Sequence, residues 1–310
     1  MSFSNKVKLE LSELEITNKL EALLELSSIL KVNASISIRN AFININFTTE
    51  SEYVVKRIYK LIDFLYGYEC IIGRVENNNL MKNGLFTLIV EDESIVNRIM
   101  NESGFDFYGN YVESINKMFS RIISSKEKGV SAYLRGVFLG AGSIVDPNKN
   151  YHLELILTSD EDVKLLEKVL DYSYIETLFN KRKDKNIVYI KNSEMIADFL
   201  NRIEATRALL ELENVKIKKD LRNNINRRMN FDMANINKTV ETSMKQISYI
   251  EMIEENSTMP EDLIEIANLR KLYPEYSLKQ LADIHNPKIT KSSVSYKMKK
   301  IEKIAKKLMN

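Results

Sequence analysis

Apolar residues along this chain alternate between two spacings, and the same order of spacings occurs twice. Residues 12–31 (SELEITNKLEALLELSSILK) set Leu20, Leu23, Leu24, Ile29 and Leu30 at helical intervals. Ile36 and Ile38, then Ile43, Ile45 and Phe47 beyond a short turn, alternate as in a half-buried hairpin. Helical spacing returns in 52–67 (EYVVKRIYKLIDFLYG). The stretches 68–76 (YECIIGRVE) and 85–90 (LFTLIV) flank the turn-rich NNNLMKNG and predict a second hairpin, and 93–100 (ESIVNRIM) predicts a short helix.

After a helical bridge near 110–127 the order recurs. AYLRGVFLGAG (132–142) reads as helix up to its glycines, YHLELILTS (151–159) as strand and EDVKLLEKVLDYS (161–173) as helix. YIETLF (174–179) and NIVYIK (186–191) predict a hairpin around KRKDK, and SEMIADFLNRI (193–203) a last helix. The two copies are offset by about 109 positions. The chain therefore predicts an α+β fold, a pseudo-symmetric two-repeat domain with a curved, mostly antiparallel sheet, followed by an all-α domain. The expected divisions are a first repeat over 1–110, a second over 111–213, a helical linker over 214–256 and a terminal domain over 257–310.

The terminal domain carries the sharpest pattern. Residues 218–256 predict a long helix or helix pair, and 261–274 a helix that starts after Pro260 and halts at Pro274. Ser277 and Gln280 fit a capping box at the start of a short helix bearing Leu278, Leu281 and the small Ala282, which admits a close neighbour. His285-Asn286-Pro287 ends that helix, with His285 read as a turn residue, and Thr290 is a suitable N-cap for the next. On a helical wheel Val294, Met298, Ile301, Ala305 and Leu308 fall within about 40° of one line. Ser292, Tyr296, Lys299, Lys300, Lys303 and Lys307 gather opposite. This is a helix-turn-helix whose second helix has the polar, basic outer face that enters a major groove. The candidate DNA-binding residues are Ser277, Lys279, Gln280, Lys288, Thr290, Lys291, Ser292, Ser293, Ser295, Tyr296, Lys297, Lys299, Lys300 and Lys303, with Arg227, Arg228 and Lys238 of the preceding helix as candidate phosphate contacts, a solvated helix face being the alternative there.

Charge sharpens this picture. The 310 residues carry a formal +2, but residues 215–310 hold 19 Lys/Arg against 12 Asp/Glu, and the rest 26 against 31. After His285 there are eight lysines and one acid, Glu302. A basic terminus on a mildly acidic body suggests a polyanion, here double-stranded DNA, although lysine blocks are also ordinary solvated surface.

Composition closes other routes. Hydrophobic residues are 44% and charged residues 28%, a globular balance. Apolar runs stay well short of the roughly 18–20 residues that cross a bilayer, so no membrane partner is expected. The polar start MSFSNKVKLE does not resemble a signal peptide, and the lone Cys70 fits a reducing cytoplasm. With two histidines, His152 and His285, and one cysteine, a Cys/His zinc site lacks ligands. Neither G-x-S-x-G nor a phosphate-cradling glycine loop occurs. No cofactor, no metal and no catalytic residue is expected.

Three separated blocks, YLRGVFLGAGSIVDPNKNYHLEL (133–155), NRRMNFDMANINKT (226–239) and SLKQLADI…ITKSSVSYKMKKI at the end, resemble the WhiA family of bacterial proteins over essentially the whole chain. The resemblance implies a LAGLIDADG homing-endonuclease-like domain, a linker and a terminal helix-turn-helix. It implies a cytoplasmic, nucleoid-associated DNA-binding regulator tied to cell division, chromosome segregation and, in spore-formers, sporulation, with other regulatory or division proteins as possible partners of the N-terminal domain. LAGLIDADG endonucleases hold metal through one acid at the end of each repeat helix, because Mg²⁺ demands hard oxygen ligands. Laying the motif on residues 134–142 puts Ala141 at the acid position, and on residues 20–28 it puts Ser27 there. Asp146, just before Pro147, reads as a turn residue. The scaffold is expected to be kept and the catalyst lost. The alternatives are a scaffold of the division machinery with incidental DNA contact, and a metal-dependent endonuclease drawing carboxylates from other positions.

Overall fold

A computed structural model of the chain describes residues 1–39, 42–75, 84–106, 108 and 110–309. The first repeat runs α1 (Phe3–Glu13), α2 (Lys19–Asn33), β1 (Ala34–Arg39), β2 (Phe42–Thr49), α3 (Glu52–Tyr66), β3 (Ile71–Val75), β4 (Leu85–Val90) and α4 (Glu93–Ser103). The second runs α5 (Ile115–Ser124), α6 (Lys126–Ala141), β5 (Gly142–Ile144), β6 (Leu153–Leu157), α7 (Asp160–Tyr172), β7 (Leu178–Arg182), β8 (Lys185–Ile190) and α8 (Ser193–Arg202). Most of the predicted NNNLMKNG turn, and the turn at residues 40–41, lie outside the described residues.

Each repeat builds its own four-stranded antiparallel sheet, in the orders β1-β2-β4-β3 and β5-β6-β8-β7. The single curved sheet expected from the pattern is thus two sheets of identical order. Alternate residues point into the core: Ile45 and Phe47 pair with Val90 and Leu88, and Leu153 and Leu155 with Ile190 and Val188, all buried. The hairpin expected around KRKDK is displaced. Its turn is Lys183-Asp184, with Arg182 opposite Lys185, and KRK is mostly strand. YIETLF is strand only at its end, because the backbone N–H groups of Ser173 and Ile175 first cap α7 by donating to the Val169 and Leu170 carbonyls.

Helices α2 and α6 pack side by side and join the repeats. A Cβ on Gly136 would collide with Ser28 Oγ and the Glu25 carbonyl, so only glycine lets the two backbones approach this closely. At the same junction the buried Glu25 carboxylate receives Arg57 Nε at 2.7 Å and Nη2 at 2.9 Å from its own repeat. It also receives Arg135 Nε at 2.8 Å from the other. Arg135 Nη1 continues to Glu204 at 2.6 Å.

By packing, the chain divides into Met1–Ile217 and Lys218–Asn310. Helix α9 (Thr206–Asn256), a single helix of 51 residues, begins in the first unit and ends in the second. The second unit adds α10 (Glu261–Leu272), α11 (Leu278–Ile284) and α12 (Lys291–Leu308). Ile250 and Ile253 of α9 share its core with Leu263, Ile266, Leu281, Val294, Met298 and Ile301. The second unit therefore starts well before residue 257 in its packing.

Candidate nucleic-acid interface

The second unit is a helix-turn-helix with both helix starts locked. Ser277 Oγ accepts from Gln280 N at 3.4 Å while Gln280 Oε1 accepts from Ser277 N at 2.9 Å, the reciprocal capping box. Thr290 Oγ1 accepts from Ser293 N at 3.1 Å and meets Ser293 Oγ at 2.9 Å. Between them His285 is buried in the turn, its Nδ1 2.9 Å from the Pro287 carbonyl. Glu265 accepts the Asn286 N–H at 2.6 Å, which ties the turn to α10. Ser277, Gln280, Thr290 and Ser293 are thus engaged in holding the motif.

Helix α12 turns Val294, Met298, Ile301 and Ala305 into the core. Leu308, expected on the same stripe, is 42% exposed, because the core ends one turn before the helix does. Ser292, Tyr296, Lys299 and Lys303 are exposed, three or four residues apart and so on one face; Tyr296 is 68% exposed. Lys299 and Lys303 form no ion pair with a carboxylate among the described residues, nor do Lys279 and Lys291. Ser295 is half-buried. Lys288 pairs with Asp283 at 2.8 Å. Arg227 and Arg228 are exposed on α9.

Two lysines depart from the expected outer face. Lys300 Nζ reaches Asp262 Oδ2 at 2.8 Å and Lys297 Nζ reaches the Asp262 carbonyl at 2.7 Å, so both turn towards the start of α10. The hydrogen bond to Asp262 holds the Lys300 ammonium above its ordinary value, and the same bond holds the Asp262 carboxyl below its own. The wheel placed Lys300 by angle alone. A long side chain bends across a helix face when a carboxylate lies beside it. Sequence reading also missed Arg270, which is buried and donates through Nη1 to the carbonyl of Tyr276 at 2.8 Å and to Ser243 Oγ at 3.3 Å. An arginine in a final helical turn gives no sign that it will fold inward.

In the first unit, the helix ends correct the placement of the endonuclease motif. Helix α6 ends at Ala141 and feeds β5, and α2 ends at Asn33 and feeds β1. The residue equivalent to Ala141 is Asn33, six positions after the expected Ser27, which lies inside α2 with its hydroxyl on the Leu23 carbonyl. Neither Ala141 nor Asn33 carries a carboxylate. Asp146 accepts the Asn148 N–H and side-chain amide, both at 2.9 Å, and shapes a turn. Among the described residues no three His, Cys, Asp or Glu side chains gather as a metal site.

Two antiparallel repeats packed through paired helices, followed by a helix-turn-helix, define a LAGLIDADG-like protein with a DNA-binding type of C-terminal domain. Family models agree in order: the WhiA N-terminal LAGLIDADG-like domain over residues 19–106, the WhiA LAGLIDADG-like domain over 130–222 and the WhiA C-terminal HTH domain over 225–305. Proteins named probable cell division protein WhiA from Clostridium botulinum and Clostridium beijerinckii are 37% and 35% identical, each match covering 99% of both chains. The crystal structure of full-length DUF199/WhiA from T. maritima matches 99% of both chains at 26% identity with a TM-score of 0.61. The chain belongs to the WhiA family. No helix among the described residues is long and apolar enough to cross a membrane.

Proposed function

We propose that this chain is a non-enzymatic, nucleoid-associated DNA-binding regulator of cell division and chromosome segregation, acting on transcription and, in spore-formers, on sporulation. The cell-division role is taken from its relatives' names. The observation that carries the DNA-binding reading is the Tyr296–Lys299–Lys303 face, exposed, basic and without carboxylate partners among the described residues, on a capped helix-turn-helix. Tyr296 and Ser292 near the helix start read base edges, while Lys299 and Lys303 hold phosphates. Lys297 and Lys300 act through Asp262 to fix the angle of α12.

The test is binding to duplex DNA across a salt series. Affinity should fall with salt, by about 0.9 log units per log unit of salt for each phosphate neutralised. Replacing both Lys299 and Lys303 with alanine should flatten that slope by about two. An unchanged slope would exclude this face. Retention of the cellular phenotype by a variant that no longer binds DNA would favour the division scaffold instead.

The repeat domain serves as a scaffold or partner-binding body in this reading, since alanine and asparagine stand where metal-binding acids are required. Plasmid incubated with Mg²⁺ or Mn²⁺ should stay intact; cleavage abolished by EDTA would make the protein an endonuclease.

A further inference from the structure

Beside the recognition helix of the second unit lies a groove of about 450 Å³ that the exposed face of α12 does not include. Its lining comes from α9 (Lys238, Gln246), the end of α10 (Arg270), the start of α11 (Ser277) and the start of α12 (Lys291). Three of these are cations, and among the described residues no carboxylate lines it. Arg270 is the unusual member. The residue is 2% exposed and has no ion pair among the described residues. Nη1 is spent on Ser243 Oγ and the carbonyls of Tyr273, Pro274 and Tyr276, while Nε has no hydrogen-bond partner. Burial works against its charge, and Glu275 offsets this only at a distance. A buried guanidinium without a counter-ion is costly unless something anionic completes it. Gln246 adds a buried Oε1 that is likewise unpaired, on an amide that a half-turn converts from acceptor to donor. The first turn of α12 also opens here, and the amides of Lys291 and Ser292 precede the first residue that can bond within the helix.

We propose that this groove seats one phosphate of the DNA backbone, with Lys238 and Lys291 as its ligands and Arg270 supplying fixed positive charge to the lining. This rests on the DNA-binding reading above and extends it: Lys238 of α9 and the start of α12 share one phosphate in a built groove, and the bound strand continues past the start of the recognition helix. A single phosphate is the ligand that three cations and a helix N-terminus select, and it carries no base information.

The full chain and its Lys238→Ala and Lys291→Ala variants should be titrated with specific and random duplexes from 50 to about 300 mM salt. Both residues are exposed at the rim, so folding is not at stake. Each variant should lose roughly eightfold in affinity at 0.1 M salt, equally for both duplexes, and its salt slope should flatten by about 0.9. Lys238→Arg should restore most of the loss. Wild-type affinity and slope in Lys238→Ala, with Lys299→Ala still weakened, would overturn the groove and leave the DNA-binding reading standing. Absence of DNA binding by the wild type would end both. A second arm separates a backbone phosphate from a free one. If inorganic phosphate at constant ionic strength raises the melting temperature of the free protein, and Lys238→Ala removes that gain without touching DNA affinity, the groove belongs to free phosphate and the proposal fails.

Discussion

Glu25 decides how the two repeats hold together. Its carboxylate is fully buried between Arg57 from its own repeat and Arg135 from the other, and Arg57 also donates to the Leu14 carbonyl. Removing one member leaves buried charge uncompensated, which costs about 3–5 kcal/mol. Glu25→Ala should therefore lower the unfolding free energy of the first unit by that amount, measured by urea unfolding. Lys56→Ala, which breaks the exposed pair with Glu52, should cost under about 0.5 kcal/mol. Equal effects of the two would refute the burial argument. The sequence offers a partial signal: Glu25 sits inside the apolar run that contains Leu24, Leu26 and Ile29. Its partners stand 32 and 110 positions away, beyond any local pattern.

At the scale of elements, what was legible is what is local. The capping box at Ser277 and the N-cap at Thr290 are decided within three residues, and both are present. Ser277→Ala should cost the second unit about 1 kcal/mol, read from its thermal unfolding. Sheet membership was legible by alternation, but the β7–β8 register was not, because the cap that ends α7 consumes the first residues of the expected strand. The α10–α12 tie through Asp262 joins residues 38 apart and could not be read. It makes a pH prediction. Lys300 holds the Asp262 carboxyl below the ordinary carboxylate value, so the tie is fully formed above about pH 4 and is lost as pH falls through the lower folded-state value. Asp262→Asn should flatten the loss of melting temperature between pH 5 and 3; a curve superimposable on the wild type would exclude the tie as a contributor.

For the whole molecule, helix α9 poses the larger physical question. Every residue from 221 to 238 is exposed, although the helix is continuous from Thr206 to Asn256. Helical segments shorter than about 12–15 residues are marginal in water even when alanine-rich, and tertiary packing of one face supplies most helical stability in proteins. This stretch is only slightly longer, has asparagine at 223, 224, 226, 230, 235 and 237, and buries nothing. Its ends are pinned instead, by Leu212 and Val215 in the core of the first unit and by Ser243, Ile250 and Ile253 in the second. Such a segment transmits little folding cooperativity, because melting it exposes no apolar core. The full chain should then unfold in two transitions, Glu25→Ala shifting one and Ser277→Ala the other. Backbone amides of 221–238 should exchange with solvent far faster than those near 212 or 250, despite belonging to the same helix. Duplex DNA that engages Lys238 would slow exchange around that residue and not around Leu221. A single transition with uniform protection along α9 would mean that the exposed stretch is stabilised by something other than its own hydrogen bonds.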